Sequence, residues 1–202
     1  MDENSEPLSM FYLRERIPPQ FADATMDTFE IPTPELEAAW RASVAWLDAT
    51  PGNLAQSHKG PFLTGPIGTG KTHLAWAIAK DCASRGINVG VVSVARHFAW
   101  VRGKIGAGER VEPAGRLVRD YCGRPWDLLF LDDIGVEKPT DWLLEQVYML
   151  VDEAYLQNVP LMVTSNLDYD ELGDRLGERT VSRIVALTTK IAVAGADWRL
   201  RA

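Results

Sequence analysis

Apolar runs and helical patterns alternate along most of the chain. Five runs are rich in apolar and β-branched residues, which is typical of strands buried on both faces of a sheet. These predicted strands cover residues 61–64, 89–94, 127–133, 160–166 and 188–194. Helical spacing of apolar residues is found over residues 35–47, 72–80, 95–105, 113–121, 168–176 and 179–187, and from 139 or 140 to 157. The alternation predicts an α/β fold in which helices cover both faces of a mainly parallel, five-stranded sheet.

The N-terminal part of the chain has a different pattern. Residues 1–16 are polar and lack sustained periodicity, so we predict a flexible tail followed by a single domain over residues 17–202. Thr33 is the predicted N-cap of the helix over residues 35–47, and Pro34 occupies its first position.

Composition and charge narrow the class of protein. The chain has 202 residues, of which 46% are hydrophobic, and a formal net charge of −7. No apolar stretch approaches the roughly 18 residues that cross a bilayer, and the acidic N-terminus has the wrong sign for a secretory signal. We therefore expect a cytoplasmic protein with no membrane partner.

The charge is unevenly distributed along the chain. Residues 1–50 carry 3 basic and 10 acidic side chains, whereas residues 96–124 carry 7 basic and 3 acidic ones. The basic segment has two interpretations, a solvated helix face or a surface that contacts a phosphate backbone. The negative net charge argues against indiscriminate binding to nucleic acid.

A glycine-rich loop between a predicted strand and a predicted helix matches G-x-x-x-x-G-K-[ST]. Its glycines let backbone N–H groups converge on a β-phosphate, while Lys71 reaches the β and γ oxygens and the Thr72 hydroxyl can ligate Mg²⁺. The sequence therefore predicts ATP and Mg²⁺ as ligands of a P-loop NTPase fold. The predicted nucleotide contacts are Gly65, Pro66, Ile67, Gly68, Thr69, Gly70, Lys71, Thr72 and His73.

Two further predicted strands end in polar residues that suit phosphate chemistry. Because ligands gather at the carboxyl ends of parallel strands, Asp132 is predicted to bind Mg²⁺ beside Thr72, and Asp133 to orient or deprotonate the attacking water. Asn166 can hydrogen-bond that water and the γ-phosphate. The alternatives are a surface turn for the acid pair and a turn-forming residue for Asn166.

Hydrolysis also needs a cation over the charge that develops on the phosphates. The segment 174–183 offers three arginines, Arg175, Arg179 and Arg183. Spacing alone does not decide which of them acts or in which subunit, and a solvated helix face explains most of them equally well.

The order of these motifs resembles the AAA+ bacterial helicase loaders of the DnaC/DnaI type. The related IstB transposition helper ATPases share most of the same blocks. The resemblance covers about residues 16–200 and rests on residues 16–21, 24–25, 65–72, 129–139, 163–166, 175–179, 182–183 and 197–199.

The resemblance implies a three-layer P-loop NTPase of the AAA+ (ASCE) type that hydrolyses ATP. It implies that Arg183 is an arginine finger acting on the ATP of a neighbouring subunit, with Arg179 in a supporting position. Such ATPases self-associate into ATP-bound arcs, engage single-stranded DNA and help to open or place a hexameric replicative helicase.

The basic segment lies where initiator-type relatives insert an extra helix after the second strand. Arg96, Arg102 and Lys104 are therefore DNA-contact hypotheses. Trp100 lies among them and could stack on a base, although a tryptophan at helical spacing is more often a core residue.

The chain departs from the loader pattern at both ends. Loaders of this type carry a helicase-docking domain before the ATPase core, whereas about 16 residues precede it here. Only 36 residues follow Asn166, which predicts little or no C-terminal lid, and Arg199 resembles a degenerate second sensor. The alternatives to a helicase loader are a transposition helper, an ATP-gated interaction module with little hydrolysis, and a P-loop kinase.

Overall fold

Five strands form one sheet in which every neighbouring pair is parallel, in the order β2-β3-β4-β1-β5. The computed structural model describes residues 8–50, 59–119, 125–135 and 140–198. The predicted five-stranded, mainly parallel sheet is thereby confirmed. The strands are β1 (Gly60–Thr64), β2 (Val89–Ser93), β3 (Leu128–Asp132), β4 (Leu161–Ser165) and β5 (Thr188–Ala192).

Seven α-helices lie in the part of the chain that the structure describes. Two short 3₁₀ turns, Pro19–Phe21 and Ala114–Val118, accompany them. None of the described helices combines the length and the apolarity needed to cross a membrane. The helices are α1 (Leu8–Arg14), α2 (Pro34–Ala49), α3 (Lys71–Ser84), α4 (Val94–Gly106), α5 (Asp141–Leu156), α6 (Tyr169–Leu176) and α7 (Glu178–Leu187).

Alternate residues of strands β1 to β4 enter two separate cores, and β5 contributes Ile191 to one of them. Phe62 packs in one core and Leu63 in the other, and both are fully buried. Buried residues of α1, α2 and α3 complete the core around Leu63, whereas those of α4, α5, α6 and α7 complete the core around Phe62. The sheet is thus the middle layer of three, as the alternation of strands and helices predicts.

Side-chain caps begin the two longest helices. The Thr33 hydroxyl accepts the Leu36 N–H at 3.3 Å, which confirms the predicted cap with Pro34 at the first position of α2. Thr140 accepts the Leu143 N–H in the same way at the start of α5. Each cap satisfies one of the backbone donors that a helix N-terminus leaves free.

The helix predicted over residues 113–121 is shorter in the structure. It is the 3₁₀ turn Ala114–Val118, since Arg119 is extended and forms an antiparallel bridge with Pro125. The Trp126 side chain donates to the Leu117 carbonyl oxygen at 2.9 Å and packs over Gly90 of β2.

Residues 8–16, placed by the sequence in a flexible tail, are packed against the domain. Leu8–Arg14 forms α1, Leu13 is fully buried, and the Ser9 hydroxyl donates to the Ala83 carbonyl oxygen of α3 at 2.7 Å. The tail prediction was wrong for this part because a helix of two turns is too short to show periodicity, and its burial depends on a contact 74 residues away. Residues 1–7 lie outside the described residues.

Replacing Leu13 by alanine tests whether α1 belongs to the folded domain. We expect Leu13→Ala to lower the free energy of unfolding by about 2–5 kcal/mol, the usual cost of emptying a buried leucine site. The measurement is a urea titration followed by circular dichroism. Glu15→Ala is the matched control because Glu15 is exposed, and it should stay within about 0.5 kcal/mol of the parent. Equal stability of Leu13→Ala and the parent would contradict the packing of α1.

Candidate functional site

The sheet register brings the three predicted polar strand ends together. β4 lies between β1 and β3, with Leu63 paired to Thr164 and Leu131 to Val163. The phosphate loop after β1, the acid pair at the end of β3 and Asn166 after β4 therefore share one edge of the sheet. This is the edge where parallel α/β sheets bind their ligands.

The loop between β1 and α3 has the backbone shape of an anion-binding turn. Gly68 and Gly70 have φ angles of 77° and 92°, and Gly70 is the N-cap of α3. A Cβ at Gly68 would overlap the Asp197 carboxylate, and a Cβ at Gly70 would lie 3.0 Å from the Phe29 ring. Both positions therefore favour glycine because of their positive φ, and both lie close to a neighbouring side chain. The loop leads directly into the N-terminus of α3, and a helix N-terminus favours a bound phosphate.

Lys71 is buried inside the loop, with 6% of its surface exposed. Its ammonium donates to the carbonyl oxygens of Gly65 and Pro66 at 2.7 and 2.6 Å. Ile67 at the tip is 58% exposed, whereas the Thr69 hydroxyl is buried and donates to the Pro66 carbonyl oxygen. The loop thus holds a positive charge at its centre before any anion arrives.

A chain of hydroxyl and carboxylate groups joins α3 to β3 and β4. The Thr72 and Thr164 hydroxyls both donate to Asp132 Oδ1, at 3.2 and 2.8 Å. Burial raises the pKa of Asp132, and the two hydroxyl donors oppose that shift. A hydroxyl beside a carboxylate is an oxygen donor set that suits Mg²⁺, so Thr72 and Asp132 are compatible with the predicted metal.

The second acid has an unusual backbone. Asp133 has φ = 63°, and its N–H donates to the Thr164 hydroxyl at 2.8 Å. The Asn166 side chain is half-buried and makes no hydrogen bond within the described residues. Thr164 thus fixes both carboxylate-bearing residues. Sequence reasoning missed this role, although Thr164 stands in the motif 163–166 two residues before Asn166.

His73 connects the phosphate loop to the segment before α2. Its Nε2 lies 3.3 Å from the Thr28 hydroxyl, and its ring centroid lies 5.9 Å from that of Phe29. Burial lowers the pKa of His73, and the nearby charge of Lys80 lowers it further. We therefore expect a neutral imidazole at pH 7.

The segment after β5 also packs on the phosphate loop, which the sequence did not predict. The Val193 N–H donates to the Thr64 carbonyl oxygen at 2.7 Å, and the Trp198 N–H to the Gly68 carbonyl oxygen at 3.0 Å. Arg199, the predicted second sensor, lies outside the described residues.

The three predicted cations differ in their surroundings. Arg183 is half-buried on α7 and forms an ion pair with Asp152 of α5, whereas Arg179 is exposed and Arg175 is half-buried near the end of α6. The described contacts of Arg183 are all with α5 and α7, away from the phosphate loop of the same chain. That Arg183 acts on the nucleotide of another subunit therefore stays a prediction.

The predicted DNA-contact residues do not share one face of α4. Lys104 lies 5.6 Å from the centroid of the Trp100 ring and forms an ion pair with Glu109 at 2.6 Å. Arg96, on the first turn, is exposed and acts electrostatically on Asp132. Arg102 is exposed and, at 3.6 residues per turn, lies on the opposite side of α4 from Arg96, Trp100 and Lys104.

Trp100 and Lys104 line a cavity of about 640 Å³ between α4, β2 and the chain that follows α4. Trp100 is 58% exposed, so it is a surface side chain and not a core one. Five arginine or lysine side chains and two glutamates, Glu109 and Glu112, line the cavity, and its apolar wall includes two tryptophans. These wall residues include Arg16, His97, Trp100, Lys104, Arg110, Arg116, Arg119 and Trp126.

Comparison with known sequences matches residues 42–202 to the family described as IstB-like ATP binding protein. A Mycobacterium tuberculosis protein, named as an ATP-binding protein in an insertion sequence, is 30% identical over 189 residues. That alignment covers 89% of this chain and 70% of the relative. The replicative helicase loader DnaC of Escherichia coli is 28% identical over 123 residues, which cover 61% of this chain and 49% of the loader.

Solved structures with the same fold include DnaI and the DnaC helicase loader, each with a TM-score of 0.71. DnaI is 22% identical, and the superposition covers 90% of this chain and 93% of that chain. DnaC is 21% identical, with 87% and 99% covered. This likeness confirms the predicted three-layer P-loop architecture.

Thr164→Val tests the role of the hydroxyl that connects the two acids. Because valine keeps the shape of threonine but can neither accept from the Asp133 N–H nor donate to Asp132, both groups lose a partner. We expect the free energy of unfolding to fall by about 1–3 kcal/mol, measured by urea titration. Thr189→Val, at an exposed position of β5, is the matched control. Equal small effects of the two substitutions would contradict a structural role for the Thr164 hydroxyl.

Proposed function

Because the chain belongs to the family of IstB-like ATP-binding proteins, we propose that it is an ATP-hydrolysing accessory protein of DNA replication. In this proposal it assembles on single-stranded DNA and loads or remodels a replicative helicase. The observation that supports hydrolysis is the meeting of the phosphate loop, Asp132, Asp133 and Asn166 at three adjacent strand ends. A site built only to hold a nucleotide would not need the second acid and the amide.

Binding of ATP would use the positive centre of the loop. Lys71 would exchange its bonds to the carbonyl oxygens of Gly65 and Pro66 for the β- and γ-phosphate oxygens. The N–H groups from Gly68 to Thr72 would donate to the same phosphates. His73, neutral and fixed by Thr28, would close the loop on the side of the N-terminal segment.

Thr72 and Asp132 are the residues that would hold Mg²⁺. When bound, the ion would neutralise part of the charge on the β- and γ-phosphates. The Thr72 hydroxyl donates to Asp132 Oδ1 at 3.2 Å, and this contact between two oxygen ligands supports the assignment. The burial that raises the pKa of Asp132 would be offset by a neighbouring dication.

Asp133 and Asn166 would act on the attacking water. The backbone of Asp133 is left-handed, and its N–H is held by the Thr164 hydroxyl. Asp133 would accept the proton of the water as it attacks the γ-phosphate. The Asn166 amide, which has no hydrogen bond within the described residues, would orient that water and contact the γ-phosphate.

Arg183 would complete the site of a neighbouring subunit. Its described contacts lie on α5 and α7, so we propose that it acts in trans within an ATP-dependent oligomer. A cation in this role contributes about 10³–10⁵ to the hydrolysis rate of related phosphoryl-transfer enzymes.

Single-stranded DNA is the proposed polymer partner, and α4 is the proposed contact surface. The supporting observation is the exposed Trp100 beside Lys104 at the mouth of a basic cavity. An aromatic face and a cation can together hold a base and its phosphate. Arg102 would contact the backbone from the outer face of α4, and Arg96 lies nearer to the ATP site.

A transposition helper that works with a transposase is the second candidate function. The insertion-sequence protein of Mycobacterium tuberculosis, which matches 89% of this chain, favours it. Neighbouring genes separate the two candidates. A replication or prophage cluster supports a helicase partner, whereas an adjacent integrase-fold transposase gene supports the transposase.

ATP hydrolysis at increasing protein concentration, with and without single-stranded DNA, tests the proposed function. We expect turnover per subunit to rise with protein concentration and to rise further with DNA, because the finger comes from a neighbour. Lys71→Ala is the control and should lose ATP binding. Tight ATP binding with flat, DNA-independent turnover would favour an ATP-gated interaction module. Unchanged ATP affinity of Lys71→Ala would contradict the nucleotide site.

Charge reversal on α4 tests the DNA surface. We expect Arg102→Glu with Lys104→Glu to weaken binding of a fluorescent single-stranded oligonucleotide. The slope of log K against log salt should fall by about 1.4, since each lost phosphate contact on a single strand removes about 0.7. Arg41→Glu with Lys190→Glu changes the net charge equally at exposed sites elsewhere. If both double variants lower the slope alike, α4 is not the contact surface.

A further inference from the structure

The guanidinium of Arg183 lies in a cradle formed by three side chains of α5. Its Nε is 2.5 Å from Asp152 Oδ1, and its Cζ lies 5.0 Å and 5.7 Å from the centroids of the Tyr148 and Tyr155 rings. Nη1 donates to the carbonyl oxygen of Arg179 at 3.1 Å. We call Tyr148, Asp152 and Tyr155 the α5 cradle.

The α5 cradle fixes one side of the guanidinium and leaves the other available. Nε is buried in ion-pair contact with Asp152 but makes no hydrogen bond within the described residues, whereas Nη1 donates to the backbone of α7. Nη2 makes no hydrogen bond within the described residues, and the Arg183 side chain is 26% exposed. The guanidinium is therefore held by the charge of Asp152 and by the hydrogen bond from Nη1, while Nη2 can still donate two hydrogen bonds.

The other two arginines of this region have no comparable support. Arg179 is exposed, and neither its side chain nor that of Arg175 makes an ion pair or ring contact within the described residues. A free arginine side chain must lose rotamer freedom when it engages a phosphate, whereas Arg183 has already lost most of it. Of the three, Arg183 is the pre-organised cation.

The cradle also reaches the molecular surface. Tyr155 is 44% exposed, and the neighbouring Leu156 and Val185 are 64% and 39% exposed. The guanidinium therefore packs beside an exposed aromatic side chain, Tyr155, on a surface where a second copy of the chain could bring its nucleotide to Nη2.

We propose that Asp152 is a positioning residue for Arg183, and that with the two tyrosines it aims Nη2 at the ATP of a neighbouring subunit. This inference rests on the proposed function, because it assumes that Arg183 acts in trans. The charge of the carboxylate would hold the guanidinium against α5, and the two rings would restrict the guanidinium plane through cation–π contact. Misplacing a catalytic group by about 1 Å can cost about a hundredfold in rate.

A merely structural role is the competing explanation, since Asp152 and Arg183 also connect α5 to α7. Loss of such a connection would lower stability. It would not lower kcat selectively, and it would not depend on which subunit carries the change. The experiment therefore measures kcat, the KM for ATP and the unfolding temperature together.

A double-mutant cycle tests the inference within one chain. With saturating single-stranded DNA, we expect Asp152→Asn to lower kcat by roughly 10- to 100-fold and to leave the KM for ATP within about twofold. In the Arg183→Ala background, Asp152→Asn should cause no further loss. Glu153→Gln is the matched control because Glu153 faces Arg119, and it should keep the parental kcat. Equal losses in both backgrounds, an unchanged kcat, or a raised kcat would overturn the positioning role.

Mixed oligomers test whether the effect is exerted in trans. Asp133→Asn lacks the proposed base but keeps its finger, whereas Arg183→Ala lacks the finger but keeps its base. Mixing them should restore hydrolysis. Adding Asp152→Asn to the Asp133→Asn subunit should remove that rescue, and adding it to the Arg183→Ala subunit should not. If mixing Asp133→Asn with Arg183→Ala subunits does not restore hydrolysis, Arg183 does not act in trans and that part of the proposed function is wrong. If rescue survives in both arrangements, the positioning inference alone is wrong.

Discussion

The central position of β4 is the constraint on which the ATP site depends. On one side, Thr164 accepts the Asp133 N–H and donates to Asp132; on the other, the Ser165 carbonyl oxygen accepts the Gly65 N–H at 3.3 Å. One strand end thereby fixes both the acid pair and the start of the phosphate loop. A shift of β4 by a single residue would turn Thr164 toward the opposite face of the sheet and separate these groups.

The sheet could be predicted because its signals are local. A strand buried on both faces of a parallel sheet is a nearly continuous apolar run, and three of the runs here end in a polar residue or a glycine loop. Helix α1 could not be predicted in the same way. Its seven residues give too little periodicity, and Leu13 is buried only because α1 packs on α3, which lies far along the chain.

The residues of the candidate site also fall into those with a local sequence signal and those whose role depends on remote contacts. The phosphate loop is one continuous motif, so its residues could be named from the sequence, and Asp132 and Asn166 follow from their place at strand ends. Thr164 and the α5 cradle required the structure, since their partners are remote in sequence. Asp152 stands 31 residues before Arg183 and has no motif that joins the two. On α4, helical spacing places Arg102 and Lys104 on different faces, whereas the net charge of the segment counts both residues alike.

Two segments that are remote in sequence meet at the phosphate loop. Phe29 packs against Gly70 from the segment before α2, and Asp197 against Gly68 from the segment after β5. The glycines that leave room for phosphate on the inner side of the loop thus also allow close packing on its outer side. Any change in the loop on binding ATP must therefore be accommodated by these two segments, since a close-packed contact transmits displacement. The phosphate loop therefore contacts both segments as well as the predicted nucleotide. These two segments are the parts of the fold that a change in the loop would displace most directly.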